Sequence, residues 1–110
     1  MRSLQITDWC HAIFQTFVLR DGVYVDATMG KGRDTLFLCR LAVEQGLRLL
    51  KPGGVMSLCI YSGGDTGFAE KEALLGYLKK LPSEAYTVIL SPYYNRRGDP
   101  PLPVFVFRQK

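Results

Sequence analysis

Val23-Tyr24-Val25-Asp26-Ala27-Thr28-Met29-Gly30-Lys31-Gly32-Arg33-Asp34-Thr35 is the stretch on which the reading of this chain turns. Val23-Tyr24-Val25 is a β-branched and aromatic run of the kind that forms a buried strand, and it predicts a strand ending at Asp26. Gly30 and Gly32 supply a turn. Asp34-Thr35 opens a helix, with Asp34 placed to cap it. A strand, a glycine turn and a helix N-terminus in that order make a ligand cradle, because the turn brings the backbone close and the helix start offers unpaired N–H groups.

Upstream, Leu4 to Leu19 carries Ile6, Trp9, Cys10, Ile13, Phe14 and Phe17 at three- and four-residue steps, one apolar helix face that Asp21-Gly22 stops. Downstream, Leu36, Phe37, Leu38, Leu41, Val43, Leu47, Leu49 and Leu50 fit a helix over Asp34 to Leu50, weakened at Gly46 by about 1 kcal/mol relative to alanine. Lys51-Pro52-Gly53-Gly54 ends it, a strand from Val55 to Tyr61 follows, and Ser62 to Gly67 is a glycine-rich loop. Ala69 to Leu81 is predicted as a helix with Ala73, Leu74, Tyr77, Leu78 and Leu81 facing inward, closed by Pro82. Tyr86 to Leu90 and Val104 to Arg108 read as the last strands, and the loop between them, Ser91 to Pro103, is long enough to suggest a function. The order α-β-α-β-α-β-β implies an α/β, Rossmann-like fold: a parallel sheet with right-handed crossovers and an antiparallel C-terminal hairpin at one edge.

At 110 residues, 47% apolar and 22% charged, the chain has the balance of one small globular domain, which excludes a disordered or low-complexity protein. No apolar run approaches the roughly 20 residues that cross a bilayer, so no membrane partner is expected. Met1 to Thr7 lacks the apolar stretch of a secretory signal, which makes the cytoplasm the expected address. Cys10, Cys39 and Cys59 are an odd number without a Cys-x-x-Cys pair, beside a lone His11, so they read as free thiols and no metal site is expected. His11 reads as a surface or packed residue, and Trp9 as core, since it lies on the apolar face of its helix. The net charge of +4 draws on Lys79-Lys80, Arg96-Arg97 and the tail Arg108-Gln109-Lys110. That surplus suits a polyanionic partner and suits a solvated surface equally well.

Which ligand the cradle takes depends on the glycine spacing. A dinucleotide fingerprint requires a third glycine where Thr35 stands, and the P-loop spacing is absent. Asp26 followed by Gly30 and Gly32 resembles motif I of class I S-adenosylmethionine (SAM) dependent methyltransferases, with Thr28 in the place of the first glycine. In that motif a carboxylate suits the cationic amino group of SAM, and the glycines make room for its methionine and ribose.

Val25 to Leu38 as a whole resembles the opening of a small family of such enzymes, the YtqB-like rRNA methylases, whose members are understood as MnmM-type tRNA methyltransferases; the family pattern there is D-A-T-x-G-N-G-H/R-D-T-L-F-L. Leu49-Leu50-Lys51-Pro52-Gly53-Gly54 resembles the family's helix-to-strand turn. Tyr61-Ser62-Gly63 with Gly67 and Glu70-Lys71-Glu72 is similar to its Y-P-G-H-x-G-G-x-x-E-x-E segment, and Asn95 with Asp99-Pro100-Pro101 to its N-x-x-N-N-P-P loop. Lys31 replaces the usual Asn and Gly64 the usual His. Between Ala42 and Val43 the family carries its second, third and fourth strands with their helices, on the order of 75 residues. The chain is therefore expected to be a single shortened domain over 1–110, in which a SAM-motif part, 1–42, joins the C-terminal part of the family fold, 43–110. The helix from Asp34 to Leu50 should run across that join and link two neighbouring parallel strands.

The resemblance implies methyl transfer from SAM to the aminomethyl group on the wobble uridine of tRNA, in the anticodon region. It implies that Asp26, Ala27, Thr28, Gly30, Lys31, Gly32 and Asp34 hold SAM. Tyr61, Gly63, Tyr93, Tyr94 and Asn95 would face the flipped uridine, and Arg96 and Arg97 the phosphate. No catalytic residue is assigned, because a neutral alkyl amine is already nucleophilic and alignment supplies most of the rate. Asp99-Pro100-Pro101-Leu102 has the letters of the D/N-P-P-Y motif of amino-group methyltransferases, but its place between the last two strands reads as a hairpin loop that contacts substrate. The second-strand acid expected on the SAM ribose falls in the missing part. Two readings stay open: a shortened methyltransferase, with a homodimer as one way to restore a closed site, and a non-catalytic remnant with weak or no SAM and RNA binding.

Overall fold

The computed structural model describes residues 5–17, 25–29, 35–60, 67–98 and 100–110. Along them run α1 (Ile6–Phe17), β1 (Val25–Met29), α2 (Thr35–Leu49), β2 (Val55–Ile60), α3 (Gly67–Lys79), β3 (Tyr86–Leu90) and β4 (Leu102–Arg108). The strands form one sheet in the order β1-β2-β4-β3. β1 lies parallel to β2, with Val25 opposite Met56 and Met29 opposite Ile60. β4 is antiparallel to both of its neighbours.

The expected antiparallel C-terminal hairpin stands at one edge of the sheet as β4 and β3, and the parallel part is the β1–β2 pair. The final strand is the inner one of that hairpin, lying between β2 and β3, so two of the three ladders are antiparallel. Burial explains the placement. Leu102 to Val106 is buried throughout, as a strand covered on both faces and paired on both edges must be, while β3 is half-buried to exposed and takes the edge.

Alternation along β2 and β4 divides their side chains between two layers. Met56, Leu58, Ile60, Leu102, Val104 and Val106 face α2 and α3, where Val43, Leu47, Leu50, Leu74 and Leu78 close over them. Val55 and Phe105 face α1 and pack on Cys10, with Trp9, Ile13 and Phe107 around them. Each fully buried side chain of this size contributes about 1.5–3 kcal/mol relative to exposure.

α2 is one uninterrupted helix across Ala42-Val43, and it joins two strands that are parallel neighbours. Among the residues whose burial is described, its buried stripe is Val43 and Leu47, continued by Leu50 just past its end, spaced four and three apart. Leu41 and Leu49 fall off that stripe and are 42% and 65% exposed, so the apolar count along α2 overstates its buried face. In α3, Leu74 and Leu78 are buried and Tyr77 half-buried, as is Leu81 just past its end, but Ala73, expected inward, is exposed. β1 is also shifted from its expected place: it runs on through Ala27-Thr28-Met29, because each of its five residues has a partner on β2. Val23 and Tyr24 lie outside the described residues.

Local chemistry fixes the ends. The Gln5 N–H donates to Asp8 Oδ2 at 3.1 Å, one half of a capping box that starts α1. After α2, the Gly54 N–H donates to the Lys51 carbonyl across Pro52-Gly53, and Gly53 takes a φ of 85°, the glycine position of a type II turn. At the other end of the sheet, the Ser91 N–H donates to the Pro103 carbonyl at 2.9 Å. Pro103 has no N–H to return that bond, so the β3–β4 ladder stops at Leu90 opposite Val104 and the chain is released into the loop from Ser91 to Pro101.

Candidate functional site

Parallel strands finish at a common end, and there β1 and β2 stop side by side at Met29 and Ile60. Because β4 is antiparallel, its first residues, Leu102 and Pro103, pair with Ile60 and Cys59 at that same end. The loop from Ser91 to Pro101 therefore arrives beside the carboxyl ends of β1 and β2, where open α/β sheets take their ligands.

Within this loop Tyr93 is half-buried and Arg96 lies over its ring, with the guanidinium carbon 4.1 Å from the ring centroid. Burial pushes the Tyr93 phenol above the ordinary tyrosine range, against the downward pull of the Arg96 charge. Asp8 and Cys10 of α1 and Cys59 of β2 are near enough to raise it further, which locates the phenol between α1 and the sheet. Tyr94 is fully exposed, and Asn95, Arg96 and Arg97 are exposed beside it. One face of Tyr93 is thus already covered by Arg96, and Tyr94 is the ring that stands open to a base.

Three buried polar atoms lie on the α1 side of the sheet without a hydrogen-bond partner in the chain: Trp9 Nε1, Ser57 Oγ and Tyr93 Oη. Ser57 is opposite Phe105 in the ladder, and Trp9 meets Phe105 edge-to-face with ring centroids 6.2 Å apart. An unmade buried hydrogen bond costs about 1–3 kcal/mol, so these are the atoms that gain most from a polar ligand group. Reading the sequence missed Ser57 and cast Trp9 as core only. The indole does pack as core, and nothing in the helical spacing foretells its orphaned N–H.

Of the residues expected to hold SAM, Asp26, Ala27 and Thr28 lie in β1. Asp26, expected at the strand's end, is its second residue, opposite Ser57. Gly30, Lys31, Gly32 and Asp34 lie outside the described residues, as do Tyr61, Gly63 and Asp99. Tyr93, Tyr94, Asn95, Arg96 and Arg97 are brought together at the loop tip. His11 is exposed, Cys10 is buried and Cys59 half-buried, and neither cysteine is in a disulfide. Among the described residues no group of three or more His, Cys, Asp or Glu side chains could hold a metal, and no helix is long and apolar enough to cross a membrane.

A family model described as "Putative rRNA methylase" matches residues 35–107, about two thirds of the chain. Among solved structures, a protein named putative rRNA-methylase from Clostridium thermocellum is similar over 91% of this chain and 54% of its own, at 28% identity and a TM-score of 0.70. A putative methyltransferase from Streptococcus mutans, in complex with SAH, is similar over 89% of this chain and 57% of its own, at 23% identity and a TM-score of 0.69. An rRNA methylase from Streptococcus thermophilus is similar over 89% and 52%, at 23% identity and a TM-score of 0.66. The last two likenesses show the fold alone. The chain spans about half the length of each of these structures.

Proposed function

The chain belongs to the rRNA methylase family, and on that premise we propose that it transfers a methyl group from SAM to RNA. The observation that carries the reading is the convergence of the β1 and β2 carboxyl ends with the loop from Ser91 to Pro101, next to a motif I spacing that begins at Asp26. The Streptococcus mutans neighbour in complex with SAH adds support, since SAH is what SAM becomes when its methyl group leaves.

In this reading Asp26, Ala27, Thr28, Gly30, Lys31, Gly32 and Asp34 hold SAM. Tyr94 and Asn95, with Tyr61 and Gly63, receive the base, Arg97 meets phosphate, and Arg96 buttresses Tyr93. The substrate is the aminomethyl group of the tRNA wobble uridine. Its neutral nitrogen attacks the SAM methyl carbon as the carbon–sulfur bond breaks, SAH departs, and the new ammonium sheds its extra proton. The protein's work is alignment of nitrogen, carbon and sulfur in a line, with no covalent intermediate.

Isothermal titration with SAM and transfer of labelled methyl to tRNA bearing the aminomethyl uridine test the reading together. Heat with SAM and label at the wobble position are expected; no heat with SAM from the folded chain overturns it, and heat with NAD in its place favours a dinucleotide module. The chain spans about half of each structural relative, and the second reading is a non-catalytic remnant with weak or no SAM and RNA binding. Weak or absent binding of both, with no label in the RNA, identifies it.

A further inference from the structure

At the opposite end of the sheet a cleft of about 600 Å³ opens between α2, α3, the start of β3 and the end of β4. We propose that it is a docking site for the RNA backbone, separate from the methyl-transfer end; the proposal rests on the RNA-substrate reading above. Arg48, Tyr77, Tyr86 and Arg108 line it, with Glu44 at its wall. Tyr86 and Arg108 are a cross-strand pair, the first residue of β3 opposite the last of β4. The Arg108 guanidinium donates to the carbonyls of Leu50 and Lys110, which hold the charge in place before any ligand arrives. Arg40 lies over the Tyr77 ring at 5.0 Å, and its Nε is 3.6 Å from Glu44 Oε1.

Charge is what selects the partner. Arg48 and Arg108 line the cleft, Arg40 touches its Tyr77, and Lys51, Lys79, Lys80 and Lys110 fall within three positions of its walls, against Glu44 and Glu84 alone. Seven of the chain's fourteen Lys and Arg residues and two of its ten Asp and Glu thus line the cleft, touch it, or stand within three positions of its walls. Among the described residues, positive charge there outweighs negative by about five. α2 and α3 both end there, and their dipoles, each equivalent to about −0.5 charge, offset only about one unit of it. Fixed guanidinium groups match phosphate, and phenol hydroxyls match phosphate oxygens and the ribose 2′-hydroxyl. β2, six residues long, separates the two ends by roughly 20 Å, a span that a folded RNA arm covers.

The test is fluorescence anisotropy of a labelled tRNA anticodon stem-loop on the full chain and on the triple variant Arg48→Ala, Lys79→Ala, Lys80→Ala, over a series of salt concentrations. All three positions are exposed, and circular dichroism verifies that the variant folds. The variant is expected to bind RNA tenfold or more weakly near 0.1 M salt, with the slope of log K against log salt reduced by about two to three, since each phosphate contact contributes about 0.7–0.9. SAM titration is expected to be the same for both. A variant that binds RNA like the wild type, with the same slope, overturns the docking site and leaves the proposed function standing. Polyglutamate that competes as well as tRNA at equal charge overturns it in favour of an acidic protein partner. No RNA binding by the wild type overturns it together with the RNA-substrate reading, whereas salt-dependent RNA binding without SAM heat sinks the methyl-transfer reading alone.

Discussion

Tyr93 combines a covered ring with a buried hydroxyl that makes no hydrogen bond in the chain. Replacing it with Phe keeps the ring under Arg96 and deletes the unpaired oxygen, so Tyr93→Phe is expected to be as stable as the wild type or more stable by about 1 kcal/mol, measured by urea unfolding. The pH dependence has a definite sign. Burial raises the folded-state pKa of Tyr93, and of Tyr77, so their stabilising contribution is full below the ordinary tyrosine value and is lost as pH climbs through the folded one. Unfolding free energy should therefore fall at alkaline pH, and less steeply in Tyr93→Phe than in the wild type. At this scale the sequence was only partly legible. It singled out Tyr93 through Arg97 as a cluster, but aromatic and basic letters in a loop do not say which ring is covered, since that depends on how α1 and β2 approach it. Asp26 was misplaced for a related reason: motif spacing puts an acid at a strand's end, whereas pairing with β2 carries β1 three residues past it.

Among the elements, α2 offers the most direct test of the join at Ala42-Val43. Ala42 is exposed, so Ala42→Pro removes no core contact and acts through the backbone alone. It is expected to cost about 3 kcal/mol or more, a large share of the 5–15 kcal/mol typical of a domain, with helical signal lost by circular dichroism. α3 invites the opposite change. A Cβ added at Gly76 meets nothing within 4 Å, so Gly76→Ala should stabilise by about 0.5–1 kcal/mol and raise Tm by roughly 2–4 °C. The extents of α2, β2 and β3 could be read to within a residue or two from period, glycine and proline, because those signals are local. The insertion of β4 between β2 and β3 could not, because strand order is settled by which faces and edges must be covered. Val104 to Phe107 announced a buried strand without naming its neighbours, and Pro103 ended a ladder that the sequence had no means of assigning.

For the molecule as a whole, among the residues whose burial is described, the larger core cluster runs from Val43 to Val106, and the smaller one joins Trp9, Cys10 and Ile13 of α1 to Val55, Phe105 and Phe107. β1 is joined by one ladder at the sheet's edge. Amide hydrogen exchange is therefore expected to be slowest at Met56, Leu58, Val104 and Val106 and markedly faster along β1; equal protection in β1 and β4 would contradict this view of the core. In the order β1-β2-β4-β3, β1 stands at the margin of the sheet, with β4 and β3 on the far side of β2. A strand at a sheet margin presents backbone N–H and C=O groups with which a further strand can pair. For a gene encoding such a sheet, that margin is where a whole strand-and-helix unit adds with least disturbance to the ladders already made.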